Sequence, residues 1–170
     1  MYPPVVLELS ARYPLAVLLR PVVLALSASF PWALLATPIV LDTSAWYPIA
    51  DLDHPDHARL SRALREQIDA GVRIVTTNLV LAESHALILR RIHRAAALAF
   101  LEAVRQPPNV VVFSTPELEA AAERDWLTAF EDQRFSLTDA VSFAVMRERG
   151  TDAALALDRH FRTAGFVAIP

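Results

Sequence analysis

The sequence predicts an α/β domain over residues 38–170, in three layers, with a central parallel sheet covered by helices on both faces. Three observations predict it. Short apolar runs alternate with helical stretches throughout that span, as parallel sheets with helical crossovers require. The three glycines each fall just past a helical stretch, where left-handed caps belong. A chain of 170 residues also suits one domain of ordinary size.

Residues 39–42 read as a short buried strand ending in a carboxylate, and a helical stretch starts at about Ser44. A longer helix over 57–70 is stopped by Gly71, and 72–76 is the second strand. Residues 78–91 and 94–105 are helices, the latter closed by Pro107 and Pro108. Residues 110–113 form the third strand, and a helix over 116–131 opens on Thr115 as N-cap. A helix over 137–149 ends before Gly150, and 153–157 is the fourth strand. A short helix over 159–164 stops at Gly165, and 166–169 is the last strand.

Residues 1–37 differ in kind. They are mostly apolar, carry charge only at Glu8, Arg12 and Arg20, and are punctuated by Pro3, Pro4, Pro14, Pro21 and Pro31. The uncharged window 21–41 is nominally long enough to cross a bilayer core of about 30 Å. Against a targeting segment stand Pro31 at its centre, the lack of a clean cleavage site, and the need for Ile39, Val40 and Leu41 as a strand. The segment is therefore expected to be an apolar, proline-rich extension outside the working domain, and the protein to be cytoplasmic with no membrane partner.

Composition removes several chemistries. There is no cysteine, which excludes disulfides, thiol catalysis and cysteine-held metal clusters. There is no lysine either: all sixteen basic residues are arginine, so lysine nucleophiles, Schiff bases and phosphate-binding lysines are excluded. Haloacid-dehalogenase-type phosphatases and response-regulator receivers both need that lysine, and the former also an acid at position 44, which is Ser. A net charge of −3 argues against broad electrostatic wrapping of nucleic acid.

Ligand sites in parallel sheets lie beyond the carboxyl ends of the strands. That rule selects Asp42 after the first strand and Asp158 after the fourth, with Asp139 in the first turn of the helix feeding the fourth. Each of these also fits a helix-capping role, and Ser136, Leu137, Thr138 and Asp139 together fit a capping box. Glu83 has Leu79, Val80, Ala86 and Leu87 as helical neighbours, which predicts a carboxylate buried on an apolar face. A lone buried acid needs a pairing partner or a cation. Four such acids suggest an all-oxygen site for Mg²⁺, with Mn²⁺ as a substitute.

The motifs themselves resemble a known family. Ile39-Val40-Leu41-Asp42-Thr43-Ser44-Ala45 resembles the opening strand and acid of a PIN domain, and Asn78-Leu79-Val80-Leu81-Ala82-Glu83 its second acidic motif. Ser136-Leu137-Thr138-Asp139-Ala140-Val141-Ser142-Phe143 is similar to the third, and Ala156-Leu157-Asp158-Arg159-His160-Phe161 to the fourth. Their order and their spacings of 41, 56 and 19 residues match, over residues 38–170, and the most similar variant is the VapC-type toxin ribonuclease of toxin–antitoxin pairs. The front extension has no counterpart in that pattern.

The resemblance implies a PIN-like fold and a Mg²⁺-dependent endoribonuclease, commonly a homodimer, inhibited by a cognate antitoxin protein. It implies that Asp42, Glu83, Asp139 and Asp158 are both the catalytic residues and the metal ligands, hydrolysing RNA with metal-activated water. Asp42 and Asp139 are expected as direct ligands, Glu83 as the acid that completes the shell or orients water, and Asp158 as the most tolerant position. Thr138 and Ser44 are supporting candidates that position a carboxylate or the scissile phosphate, and both equally suit helix starts. Arg159 and His160 are candidate RNA contacts. The competing reading is a non-catalytic PIN-like module whose acids bind a metal or a partner without cutting.

Overall fold

In the computed structural model, residues 37–169 are described, and the expectation for residues 1–37 lies outside them but for its last residue. Five parallel strands form one sheet in the order β3-β2-β1-β4-β5. They are β1 (Ile39–Leu41), β2 (Ile74–Thr77), β3 (Asn109–Val112), β4 (Ala153–Leu155) and β5 (Val167–Ile169). Val40 pairs with Val75 on one side and Ala154 on the other, so β1 is the central strand.

Alternation along the strands separates two cores, because successive side chains leave a strand on opposite faces. Ile39, Leu41, Ile74 and Leu155 face one way, into a core shared with α1 (Thr43–Ala50), α2 (His57–Asp69), α3 (Asn78–Arg91) and α4 (Arg94–Val104). Val40, Val75 and Ala154 face the other way, toward α5 (Pro116–Ala122), α6 (Leu137–Arg149) and α7 (His160–Thr163). Phe143 is fully buried at the centre of this second core, edge-on to Trp126, Phe135 and Phe161 at 5.1–5.3 Å. The expected three-layer α/β/α architecture is what the chain adopts.

This topology makes β1 and β4 a switch point. From β1 the chain proceeds through helices on one face to β2; from β4 it proceeds through α7 on the other face to β5. The two loops leave in opposite directions and open a crevice between them at the carboxyl edge, the place where such sheets bind ligands.

Several boundaries differ from the sequence expectation by one or two residues, and two differences change the account. The helix expected over 116–131 is α-helical only to Ala122 and continues as a π-helix over Glu123–Thr128. Trp126 in that wider turn is buried, stacked on Phe130 at 5.6 Å and covered by the Arg147 guanidinium at 4.5 Å. Its packing takes precedence over regular helix geometry there. The fourth strand ends at Leu155 instead of Leu157, so Asp158 lies in the loop beyond the strand end. Among the described residues, no helix is long and apolar enough to cross a membrane.

Candidate active site

Asp42 ends the central strand and caps α1, its side chain accepting from the Ser44 amide at 2.9 Å. A carboxylate suits this position, because the first amides of a helix lack partners and carry partial positive charge. The Ser44 hydroxyl donates to the same oxygen, Asp42 Oδ2, at 2.6 Å. That hydroxyl also accepts from the amides of Leu157 and Asp158, at 3.0 and 3.2 Å. Ser44 thus ties the loop after β1 to the loop after β4.

Asp42 is only 4 % exposed, and its carboxyl is pushed from 3.8 up to about 6. Burial is the largest cause; the Ser44 hydroxyl and amide oppose it, and the nearby Asp139 carboxylate adds to it.

Asp139 is placed by a complete capping box at the start of α6. Its amide donates to Ser136 Oγ at 3.1 Å, while its Oδ2 accepts from the Ser136 amide at 2.8 Å. Oδ2 thus serves the start of the helix and also faces His160 at the crevice. Asp158 closes a tight turn in which its Oδ1 accepts from the His160 amide at 2.8 Å. The same turn brings His160 Nδ1 to 3.2 Å from Asp139 Oδ2 and 3.4 Å from Asp158 Oδ1. Asp139, Asp158 and His160 each offer a ligand atom within 4.8 Å of the others, a group able to hold a cation.

The remaining expectations fare unevenly. Glu83 is exposed, contrary to the expectation of a buried acid. The stripe of α3 that packs inward is Val80, Ser84 and Ile88, one residue round from Glu83. Apolar residues on several faces of this helix hide which face is buried. Glu83 still reaches the crevice, since Thr43 Oγ1 donates to its Oε2 at 3.0 Å. Thr43 also accepts from Ser84 Oγ at 3.3 Å, so it links α3 to the residue beside Asp42. Thr138 is half-buried, and its carbonyl accepts from Ser142 Oγ at 2.8 Å. Arg159 is exposed, whereas His160 is drawn into the carboxylates.

Sequence reasoning misses Thr43 as the holder of Glu83 and reads His160 only as an RNA contact. The signals are present in both cases. A hydroxyl directly follows the strand-end acid, and a histidine lies two residues past another, within reach of an aspartate turn.

Asp42, Asp139 and Asp158 gather at the carboxyl edge of β1 and β4, and Asp139 and Asp158 with His160 form a group able to hold a cation. Comparisons with known proteins identify the family. The PIN domain family matches residues 39–167. A 23S rRNA-specific endonuclease, VapC20 of Mycobacterium tuberculosis, is 39% identical over 122 residues, covering 71% of this chain and 91% of that protein; strains CDC 1551 / Oshkosh and ATCC 25618 / H37Rv give the same figures. The crystal structure of Mycobacterium tuberculosis VapC20, described as a sarcin–ricin loop cleaving toxin, superposes with a TM-score of 0.70 at 32% identity, covering 77% of this chain and 98% of that one. The chain belongs to the PIN-domain family, among its VapC-type toxin endoribonucleases.

The raised proton affinity of Asp42 has a consequence for stability. Its native carboxyl binds a proton more tightly than the unfolded one, so metal-free protein loses stability as pH rises from about 4 to about 6. A rise of this size corresponds to about 3 kcal/mol. In chelator, Asp42→Asn is expected to raise the thermal midpoint by several degrees at pH 8 and to change it little at pH 4. Melting curves at the two pH values check this; an equal gain at both would show that charge is not the cause.

Proposed function

We propose that this chain is a Mg²⁺-dependent endoribonuclease toxin that hydrolyses a phosphodiester bond in 23S rRNA, in the cytoplasm. The observation that carries the reading is the buried, proton-seeking Asp42 beside Asp139, at the topological switch point. Among the described residues no arginine pairs with these carboxylates, and the donor set is one that hard divalent cations favour. The rRNA target is that of VapC20, to which the chain is 39% identical.

Asp42, Asp139 and Asp158 would hold the cation. When bound, a divalent ion lowers the pKa of water and neutralises charge on the phosphate. Ser44 fixes one oxygen of Asp42 and leaves the other for the ion. The Ser136 amide fixes the orientation of the Asp139 carboxylate. Glu83, steadied by Thr43 and open to solvent, orients the attacking water and takes up its proton. Attack on phosphorus then breaks the bond to the leaving ribose oxygen, which is protonated from solvent. Thr138 and Arg159 flank this crevice as the groups to position the RNA backbone.

Purified protein should cut rRNA in Mg²⁺, lose all activity in EDTA and regain it with Mn²⁺. Asp42→Asn and Asp139→Asn should each lower the rate by roughly 10²-fold or more, because a direct ligand is removed while the amide still caps its helix. Mapping new RNA 5′ ends in cells, with Asp42→Asn as control, identifies the target. Undiminished cleavage in EDTA would refute the mechanism, and a target outside 23S rRNA would refute the substrate assignment.

The working unit we infer is residues 38–170, with residues 1–37 dispensable, a reading supported by the start of the family match at residue 39. Deleting residues 1–37 should leave cleavage and folding intact; loss of either, followed by activity and circular dichroism, would overturn it.

The chain is further inferred to form a homodimer that an antitoxin peptide inhibits by entering the acidic cleft with an arginine. Leu89 and Leu98, 44% and 47% exposed on the adjacent helices α3 and α4, supply apolar surface for association. Sedimentation at micromolar concentration should show a dimer, and a small basic-tipped protein should co-purify. Monomer alone, with no co-purifying chain, contradicts both parts.

A further inference from the structure

We propose that His160 is a nitrogen ligand of the cation held between Asp139 and Asp158, and that it shifts this position in favour of Mn²⁺ over Mg²⁺. The proposal rests on the reading of the carboxylate cluster as a cation site. It goes beyond that reading by adding a non-carboxylate donor with its own metal preference.

The argument starts from distances. Nδ1 lies 3.2 Å from Asp139 Oδ2 and 3.4 Å from Asp158 Oδ1. Around an octahedral ion with bonds of about 2.1 Å, neighbouring donor atoms are about 3.0 Å apart and opposite ones about 4.2 Å. Both separations are close to a neighbouring edge, and the three donors lie within 4.8 Å of one another. The geometry is thus compatible with all three donors on one ion. Without a cation the 3.2 Å contact is a hydrogen bond from Nδ1 to Asp139, but Nδ1 carries at most one proton and so bonds only one of the two carboxylates it faces, whereas a shared ion engages both.

The imidazole is also held where it is needed. Its backbone amide is bonded to Asp158 Oδ1 at 2.8 Å, and its ring stands edge-on to Phe135 at 5.3 Å. With 19% of the side chain exposed, it is more enclosed than a flexible surface contact to RNA would be. In the ligand role Nδ1 presents its lone pair and Nε2 carries the proton. Mg²⁺ demands oxygen donors, whereas imidazole suits softer first-row ions, so one nitrogen in the set separates the two metals.

The test is Mn²⁺ binding to the full chain followed by electron paramagnetic resonance, with Mg²⁺ affinity measured by competition. Bound Mn²⁺ should show, in pulsed spectra, the nitrogen modulation of a directly coordinated imidazole. His160→Asn should abolish that modulation and weaken Mn²⁺ binding about tenfold or more. Its amide oxygen falls near the Nδ1 position, so Mg²⁺ affinity should change less than about threefold. Tightly bound Mn²⁺ without nitrogen modulation in the unaltered chain overturns the proposal, even if the variant fails to fold. Equal weakening of both metals overturns the claimed preference. Absence of any Mn²⁺ binding defeats the underlying cation-site reading as well, which distinguishes the two failures.

Discussion

The burial of one carboxylate, Asp42, at the end of the central strand organises the crevice around it. β1 is hydrogen-bonded on both sides, so its last residue cannot turn toward bulk solvent as an edge residue could. The charge must be met locally, and Ser44 meets it. A serine hydroxyl has one donor and two acceptor sites. Here all three are used, for Asp42, for the Leu157 amide and for the Asp158 amide. The bond that solvates Asp42 is therefore part of the junction that holds the β4 loop, and with it Asp158 and His160, against the β1 loop. Residues far apart in sequence are positioned through one hydroxyl.

Capping and catalysis are rival explanations for Asp42 and Asp139 from the sequence alone, and the structure shows that they are compatible. A carboxylate has two oxygens. In Asp139 one of them serves the Ser136 amide, and in Asp42 one serves Ser44. Helix geometry thereby fixes the direction of the second oxygen, and a rigidly held ligand is what a reactive centre needs. The arrangement has a cost in the metal-free state. The Asp139 carboxylate adds to the burial that raises Asp42, so these neighbouring acids weaken the domain that carries them. The paired cores on either side of the sheet, dense in Trp46, Phe100, Phe143 and Phe161, supply the compensating stability.

Much of this architecture is legible in the sequence because its determinants are local. Strand–helix alternation, Gly150 in the left-handed conformation after α6, and the capping box at Ser136 all have short-range sequence signals. The sheet order is not legible, since no residue pattern says that β1 lies between β2 and β4. The exposure of Glu83 is hidden because α3 carries apolar residues on several faces, and periodicity alone does not choose among them. The π-helical turn after Ala122 is hidden for a similar reason. It follows from the packing of Trp126 against Phe130, Phe143 and Phe166, contacts that the local sequence does not encode. His160 is recognisable as near the site but not by its neighbours, because its place depends on how α6 and the β4 loop meet.

The charge distribution bears on how such a protein engages RNA at all. With a net charge of −3 and no lysine, the chain has no general electrostatic hold on a phosphate backbone. Asp42, Asp139 and Asp158 gather at one edge of the sheet, and a phosphate approaching them without cations would be repelled. A bound divalent ion reverses the local sign only at that point. The Asp139 charge that helps raise the Asp42 carboxyl would be relieved by the same ion, so repulsion within the cluster and toward a phosphate would fall together.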